Sequence, residues 1–344
     1  MKHYTICSFF LSLTLAFFTV QNLCAQDLHF SQYFNTPLLV NPANTGFAPE
    51  VDWRAGVNYR NQYSSLTSNP YKTMSAWGDA QVFNNRFDNG WMGIGGAVMK
   101  DVAGAGNLSS TRAYGSVAYH QLVGMASLLS IGFNVGYITK KVDFTKLTFD
   151  NQWNGQFFDV TIPSGENFAY SQVGYVDLQT GLNYAYFPNN NTYLNAGFSL
   201  SHINRPKESF FSNSNNIDAR LAVRYTAFLN AMYKINDQWI INPNAYFSKM
   251  GNTYEVVGGM NANYNLSGDG STQVIGGLYY RYQDAAIPMV GFQLNDFKLT
   301  ASYDATVSSL GAYNNRYGAY EISLVKTGTY GNGGKELKCP VVRF

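Results

Sequence analysis

Phe297, Leu299, Ala301, Tyr303 and Ala305 alternate strictly with Lys298, Thr300, Ser302 and Asp304. The same two-residue segregation marks about fourteen segments bounded by turn signals. They lie near 53–63, 73–83, 91–101, 110–122, 127–140, 170–187 and 191–203, then 218–234, 238–249, 253–264, 271–283, 286–294, 297–305 and 316–326. A strand sends successive side chains to opposite faces, so each segment offers one face to lipid and one to a polar lumen. A soluble barrel would invert that arrangement. The pattern predicts an all-β fold, an antiparallel up-and-down transmembrane β-barrel with an even strand count and about ten residues per crossing.

The connections follow the same logic. After even-numbered segments they are mostly tight, as in Pro188-Asn189-Asn190, Ile235-Asn236-Asp237 and Asn295-Asp296, and these are expected on the periplasmic side. After odd-numbered segments several are long, at 64–72, 102–109, 141–169 and 204–217, and these are expected outside, although Gly251-Asn252 and Asp284 are short. Alternation assigns the lumen Asn58, Arg60, Gln62, Trp77, Asp79, Gln81 and Arg112, and further along Arg220, Arg224, Glu255, Arg281, Lys298, Asp304 and Glu321. Mixed signs favour a lining laced by ion pairs over a selective channel, in which one sign would dominate. The lipid face receives Leu129, Ile131, Phe133, Val135 and Tyr137, and also Leu221, Val223 and Tyr225.

An export leader precedes this wall. Lys2 supplies a basic start, 6–20 is apolar and uncharged, and Leu23-Cys24-Ala25 ends in a small residue, so 1–25 reads as a signal peptide with Gln26 as the mature start. Gln21-Asn22-Leu23 lacks the residues expected ahead of an acylated cysteine, which argues against lipidation at Cys24. Cys7 and Cys24 leave with the leader and only Cys339 stays, so the mature chain has neither an internal disulfide nor a cysteine metal site. Aromatic residues make up 16% of the chain and charged residues 13%, a balance that suits interfacial Tyr belts. The mean hydropathy of −0.18 conceals a membrane protein because barrels alternate rather than cluster apolar residues. There are 23 Lys and Arg against 21 Asp and Glu, so losing Lys2 leaves a net charge near +1 and no footprint for nucleic acid.

Two stretches do not belong to the wall at 51–326. Residues 26–50 carry Pro37 and Pro42, Gly46 and turn-forming asparagines, which predicts a compact irregular segment rather than a strand. Its aromatics and leucines need burial, and the barrel interior at the periplasmic mouth is the nearest place for such a plug. The tail 327–344 holds Gly331, Gly333 and Gly334 and ends at Phe344, well past the last alternating segment, so a periplasmic extension is expected.

The run Phe30-Ser31-Gln32-Tyr33, followed by Pro37-Leu38, Asn41-Pro42-Ala43 and Gly46, resembles the opening signature of the PorP/SprF family of Bacteroidetes outer-membrane proteins. The ending Cys339-Pro340-Val341-Val342-Arg343-Phe344 resembles the family's Cys-Pro-Arg-Phe close, with two valines inserted. The resemblance implies an outer-membrane barrel of the type IX secretion and gliding-motility apparatus. Its partners would be secreted adhesins with C-terminal sorting domains, which it would help to export or retain, and components of the secretion machinery. It also implies no cofactor and no catalysis, with both termini periplasmic.

A closed barrel has no free strand edge, so cargo has to meet loops or the mouth. The 141–169 loop concentrates Phe144, Phe149, Trp153, Phe157, Phe158 and Phe168, which form either an exposed docking surface or an inward seal. For Phe30, Tyr33, Asn41 and Pro42, holding the plug in place is favoured over direct partner contact. Catalysis finds little support: His29, His120 and His202 are far apart, no activated serine stands beside His120 in sequence, and His202 suits a rim position satisfied by water or backbone. Gly104-Ala105-Gly106 lies between strands rather than opening a helix, so it is no phosphate cradle. The stronger rival is an importer of fatty acids or other hydrophobic solutes, since fourteen strands and an N-terminal plug fit it equally. Pro243 and Pro288 would then mark kinks leading to a lateral opening, though the expected lumen is polar.

Overall fold

The alternating segments form fourteen antiparallel strands in a computed structural model that describes residues 29–48, 51–87, 89–166, 168–211 and 219–330. The leader 1–25 and the motif residues Cys339, Pro340, Arg343 and Phe344 lie outside the described residues. The first seven strands are β1 (Trp53–Gln62), β2 (Tyr71–Phe87), β3 (Gly90–Ala103), β4 (Leu108–Val123), β5 (Ser127–Lys141), β6 (Gln172–Asn189) and β7 (Thr192–Ser201). The remainder are β8 (Arg224–Lys234), β9 (Trp239–Met250), β10 (Thr253–Asn265), β11 (Thr272–Arg281), β12 (Ala285–Leu294), β13 (Phe297–Thr306) and β14 (Ala319–Gly328). Sequence neighbours pair throughout, and β1 closes on β14 from Trp53↔Gly328 to Gln62↔Ala319.

Even-to-odd turns gather at one end, the short-turn end. The opposite, long-loop end carries 63–70, 142–171, 202–223 and 307–318. The connection between β3 and β4 shrinks to 104–107 because both strands run further than their alternation suggests. β6 rises beyond β7, whose pairing with it begins only at Thr180↔Leu200. The 202–223 loop covers that edge: Ile203 N–H donates to Leu178 O, and the Asn204 side chain accepts from Leu178 N–H and donates to Val176 O. A side-chain amide thus stands in for a missing strand, which removes a free edge.

Burial reproduces the alternation, with Leu129, Ile131, Phe133, Val135, Tyr137 and Tyr225 exposed on the outer face and Asn58, Arg60, Trp77, Asp79, Gln81, Arg112 and Glu321 buried inside. Three expectations are corrected. β8 begins at Arg224, not 218, because the 202–223 loop folds back through a Lys207↔Arg220 bridge, so Arg220 is exposed on a loop and not in the lumen. Leu221 packs against the inner cluster of Tyr114, Ile138 and Tyr175 instead of lipid. The lumen is also less polar than its charge pattern suggests, since Tyr33, Phe228, Tyr246, Val257, Ile275, Tyr279, Ile287 and Met289 form an apolar cluster inside it.

The two prolines leave traces in the wall. β8–β9 pairing stops after Asn230↔Asn244 and resumes at Tyr233↔Ile241, around Pro243. β12–β13 pairing stops after Ala286↔Ala305 and resumes at Met289↔Ser302, around Pro288. Each proline lacks a ladder donor, yet the barrel stays closed on both sides of each gap.

Candidate functional site

Residues 29–48 run down the inside of the barrel, and the side chains of the wall hold nearly every turn of them. At the upper end, Ser31 and Gln32 donate their backbone N–H groups to the Glu321 carboxylate, each at 2.8 Å. Ser31 Oγ donates to Asp304 at 2.8 Å and accepts from Arg60 and Arg281, both at 2.6 Å. Arg60 also pairs with Asp304 at 2.8 Å and Glu321 at 3.3 Å, while Arg281 pairs with Asp304 at 3.0 Å and Glu255 at 3.0 Å. Buried charges are tolerated only when paired and hydrogen-bonded in this way. The mixed signs of the lumen therefore form a clamp, and the clamped object is the Ser31-Gln32 dipeptide.

The clamp sits in the long-loop half, since Glu255 starts β10 beside turn 251–252 and Arg281 ends β11. The segment is therefore not confined to the mouth at the other end. It begins deep in the lumen and descends to Gly46, where the Gly46 N–H donates to Asp79 at 2.7 Å and Trp91 Nε1 donates to Gly46 O at 3.0 Å. Between these points Gln32 Nε2 donates to Ser302, Asn134 donates to Leu38 O, Ser199 Oγ donates to Val40 O, and Asn41 Nδ2 donates to Leu182 O. Irregular backbone can lie here because the wall supplies the partners that water would otherwise supply.

Each motif residue has a place in this arrangement. Phe30, Tyr33 and Leu38 are buried, and Tyr33 stacks near Tyr246 at 4.8 Å between centroids. Pro37 and Pro42 open single helical turns, and Asn41 caps the second by accepting from Ala43 N–H at 2.9 Å. The wall makes room with glycines: a Cβ at Gly181 would stand 1.9 Å from Asn41 Oδ1, and one at Gly132 would stand 2.3 Å from the Pro42–Ala43 peptide. Sequence reasoning missed these cradle positions. Their signal is a glycine on the lumen side of an otherwise well-packed strand.

Two histidines help to seal the interior. His120 is fully buried between Ser130 Oγ at 2.7 Å and Thr45 O at 2.8 Å. Its Nε2–H donates to the carbonyl, so Nδ1 accepts from the serine hydroxyl, and with both nitrogens taken no carboxylate among the described residues completes a triad. His202, expected at a rim, is instead buried with φ +58 and has Nδ1 2.8 Å from Asp177, which also accepts from Tyr114. His29 lies 3.6 Å from Glu255, and burial pushes its imidazole down to about 4, helped by Arg281, Arg60 and Arg224 and opposed by Glu255. A folded value below 6.5 favours the neutral ring, so this contribution is complete above pH 6.5 and is lost as pH falls toward 4. Acidification across that window is expected to loosen the clamped end by roughly 2–3 kcal/mol. Amide exchange at Ser31 and Gln32 at pH 7 and pH 4.5 measures it, and equal protection at both would contradict the assignment.

The long-loop end carries the aromatic residues of 142–171. Phe144 and Phe168 stack at 3.8 Å, Phe149 approaches Phe168 at 5.7 Å, and Phe211 of the neighbouring loop meets Phe168 at 5.1 Å. These rings are half-buried in one another and tie the two long loops together. Asp143 braces the start of the loop, where its bond to the Thr145 hydroxyl holds the carboxyl below its usual range. Trp153, Phe157 and Phe158 remain exposed, with Trp153 and Phe158 paired at 5.1 Å. The six residues split into a stacked base of Phe144, Phe149 and Phe168 and a solvent-facing tip.

The fold defines a closed fourteen-strand membrane β-barrel of the outer-membrane type, with residues 29–48 packed along its inner wall. The description "Type IX secretion system membrane protein PorP/SprF" matches residues 22–325, and the chain belongs to that family. Solved structures share the fold. The toluene transporter TodX of P. putida has 11% identity and a TM-score of 0.50 over 86% of this chain and 94% of that one. The monoaromatic hydrocarbon channel CymD has 9% identity and a TM-score of 0.50 over 86% of this chain and 93% of that one. A comparison with curated proteins gave no match.

Proposed function

We propose that this barrel docks adhesin-type cargo bearing C-terminal sorting domains and helps to export it or retain it at the cell surface, without catalysing a reaction. The observation that carries this reading, for a member of a type IX secretion family, is the filled lumen. With Ser31 and Gln32 clamped and residues 29–48 mostly buried, much of the barrel's interior is taken up by its own chain, which favours the rims for partners. The long-loop end is the extracellular side on this reading, because bacterial barrels keep short turns in the periplasm. The Trp153-Phe157-Phe158 tip, rigidly based on stacked rings, supports cargo docking there, since aromatic anchors bury much area at little entropic cost. Periplasmic parts of the secretion machinery would meet the short-turn end. His120 and Ser130 are buried beyond the reach of a substrate, which argues against hydrolysis.

Exchanging Phe157 and Phe158 together for serine is expected to leave the barrel folded and to lower surface-held cargo at least tenfold. Surface labelling of intact cells reads this, and unchanged display would overturn docking at the tip. Phe168→Ala, by removing the shared base ring, is expected to expose the loop to protease as well. Import of hydrophobic solutes is the second reading, favoured by the ladder gaps at Pro243 and Pro288. An interior cavity near the first gap combines asparagines, Arg54 and Lys298 with a larger apolar lining that includes Phe34, Phe228, Ile275 and Met289, which gives such a solute apolar surface to meet.

A further inference from the structure

Every acid of the fourteen strands points into the barrel: Asp79, Asp101 and Asp177 from β2, β3 and β6, and Glu255, Asp304 and Glu321 from β10, β13 and β14. The outward face is left with cations, and three of them gather on adjoining strands at the long-loop end. Lys72 lies near the start of β2, Lys100 near the end of β3 and Lys141 at the end of β5, all exposed. Lys72 and Lys141 share one row through the pairings Lys72↔Val102, Val102↔Ser109 and Ser109↔Lys141, which sets them three strand spacings apart, about 14 Å. Lys100 stands on the strand next to Lys72, one outward position lower, beside Met74 and Thr111. Ser109, Thr111 and Thr139 occupy outward positions between the lysines.

The fold does not neutralise these charges. Lys72, Lys100 and Lys141 form no ion pair among the described residues. Asp101, next to Lys100, faces inward and accepts from the Thr73 hydroxyl, while Asp143 is held by the Thr145 hydroxyl and lies 3.6 Å from Lys146. Elsewhere on this rim the outward positions are mostly tyrosines, Tyr225, Tyr254, Tyr280, Tyr303 and Tyr320, which mark where lipid headgroups meet acyl chains. On β2–β5 the lysines take that level. Beneath them the outer wall is hollow: Ala76 and Gly78 of β2, Gly96 of β3, and Ala113 and Gly115 of β4 leave an outward groove of about 550 Å³. Val57 of β1 stands beside Ala76 on one flank, and Tyr137 and Val135 of β5 stand beside Ala113 and Gly115 on the other. Val98 and Gly96 are the next two outward positions below Lys100, so the groove lies roughly 7–13 Å beneath that lysine along the strand.

We infer that the outer face of β2–β5 binds a multiply phosphorylated glycolipid of the outer leaflet, with its phosphates on Lys72, Lys100 and Lys141 and one acyl chain in the groove below. This rests on the reading of the long-loop end as extracellular. Three unpaired cations spread over about 14 Å outnumber and outreach a single phosphate, whereas a saccharide headgroup with a phosphate at each end spans them. Lysine suits the task, since its ammonium is a point charge on a flexible stem that reaches a phosphate from several directions. The sugar hydroxyls of such a headgroup meet Ser109, Thr111 and Thr139 between the charges. Anionic lipid is also the partner that cations at a membrane boundary attract from the bilayer itself. A transmembrane segment of another protein could pack on small residues in the groove, but it would leave the three charges above it without anions. The joint placement of charges and groove therefore selects the lipid.

The test uses the purified full-length barrel in a non-ionic detergent. The probes are diphosphoryl lipid A, the same lipid without phosphates, and phosphatidylglycerol, with binding read by native mass spectrometry. Diphosphoryl lipid A is expected to bind one to one and at least tenfold more tightly than either of the others. The triple variant Lys72→Gln, Lys100→Gln, Lys141→Gln should erase that preference, while Lys249→Gln with Lys326→Gln, cations elsewhere on the outer face, should keep it. Gly115→Leu, where an added Cβ meets nothing within 4 Å, should fill the groove and weaken both forms of lipid A with the barrel still resistant to SDS at room temperature. Equal binding of the dephosphorylated lipid or of phosphatidylglycerol, a preference that survives the triple variant, or a Gly115→Leu barrel that loses a co-purifying protein and no lipid would overturn the assignment. Protease cleavage of 142–171 on intact cells checks the orientation separately. Cleavage supports the outer-leaflet site, and protection would overturn it together with the orientation; cleavage without selectivity for diphosphoryl lipid A would overturn the lipid site alone.

Discussion

Asp304→Ala is expected to release the N-terminal segment from the upper lumen and to lower stability by about 3–5 kcal/mol, the cost of breaking a buried charge network on one side. Asp304 accepts from Arg60, Arg281 and Ser31, and its side chain is 4% exposed. Without it two guanidinium groups stay buried, with Glu321 at 3.3 Å and Glu255 at 3.0 Å left to balance them. Ser31 keeps its backbone bond to Glu321 but loses the acceptor for its hydroxyl. Asp304→Asn should fall between, because it keeps an acceptor for Ser31 and loses the charge. The temperature at which the folded band is lost on SDS gels gives the stability, and single-channel recording in a planar bilayer gives the seal. The wild type should be silent and Asp304→Ala should conduct. A silent, equally heat-resistant variant would show that the network does not hold the segment.

The second large effect is steric. Gly181→Val puts a branched side chain where the Asn41 amide sits 1.9 Å from the nearest possible Cβ, and Gly132→Leu does the same to the Pro42–Ala43 peptide at 2.3 Å. Neither obstacle is the far end of a flexible chain: Pro42–Ala43 is backbone, and Asn41 is fixed by Leu182 O and Ala43 N. Overpacking of this kind costs about 1–3 kcal/mol or forces the segment out. Either variant should make residues 29–48 accessible to protease, and the pair together should conduct ions. Gly115→Ala is the control, since a Cβ there meets nothing within 4 Å. Protection of the segment in both cradle variants would mean that it is held elsewhere.

Much of this architecture is legible from alternation alone, because lipid outside and polar groups inside impose a period of two on every crossing. Strand boundaries drift where alternation is diluted. Arg220 and Leu221 alternate like wall residues, which places the start of β8 at 218 in the sequence, and only the fold-back onto Pro206 O shows them to be loop. The lumen charges were legible as inward, but not that Arg60, Arg281, Asp304 and Glu321 converge on Ser31, since four strands separated widely in sequence deliver them. The N-terminal motif marks residues that touch the wall, yet its depth in the lumen depends on glycines more than eighty residues away. The local sequence places His202 at a rim because nothing near it in the chain points to Asp177, its partner.

The account as a whole rests on what the intact barrel carries in its own membrane. Mild-detergent purification of the tagged protein from the native outer membrane, followed by mass spectrometry of proteins and small molecules together, tests this most directly. Docking predicts near-stoichiometric recovery of a large secreted protein with a C-terminal sorting domain, lost when 142–171 is shortened to a tight turn. Recovery of the barrel without such a protein, but with a hydrophobic solute bound in it, would contradict the docking function and establish the importer.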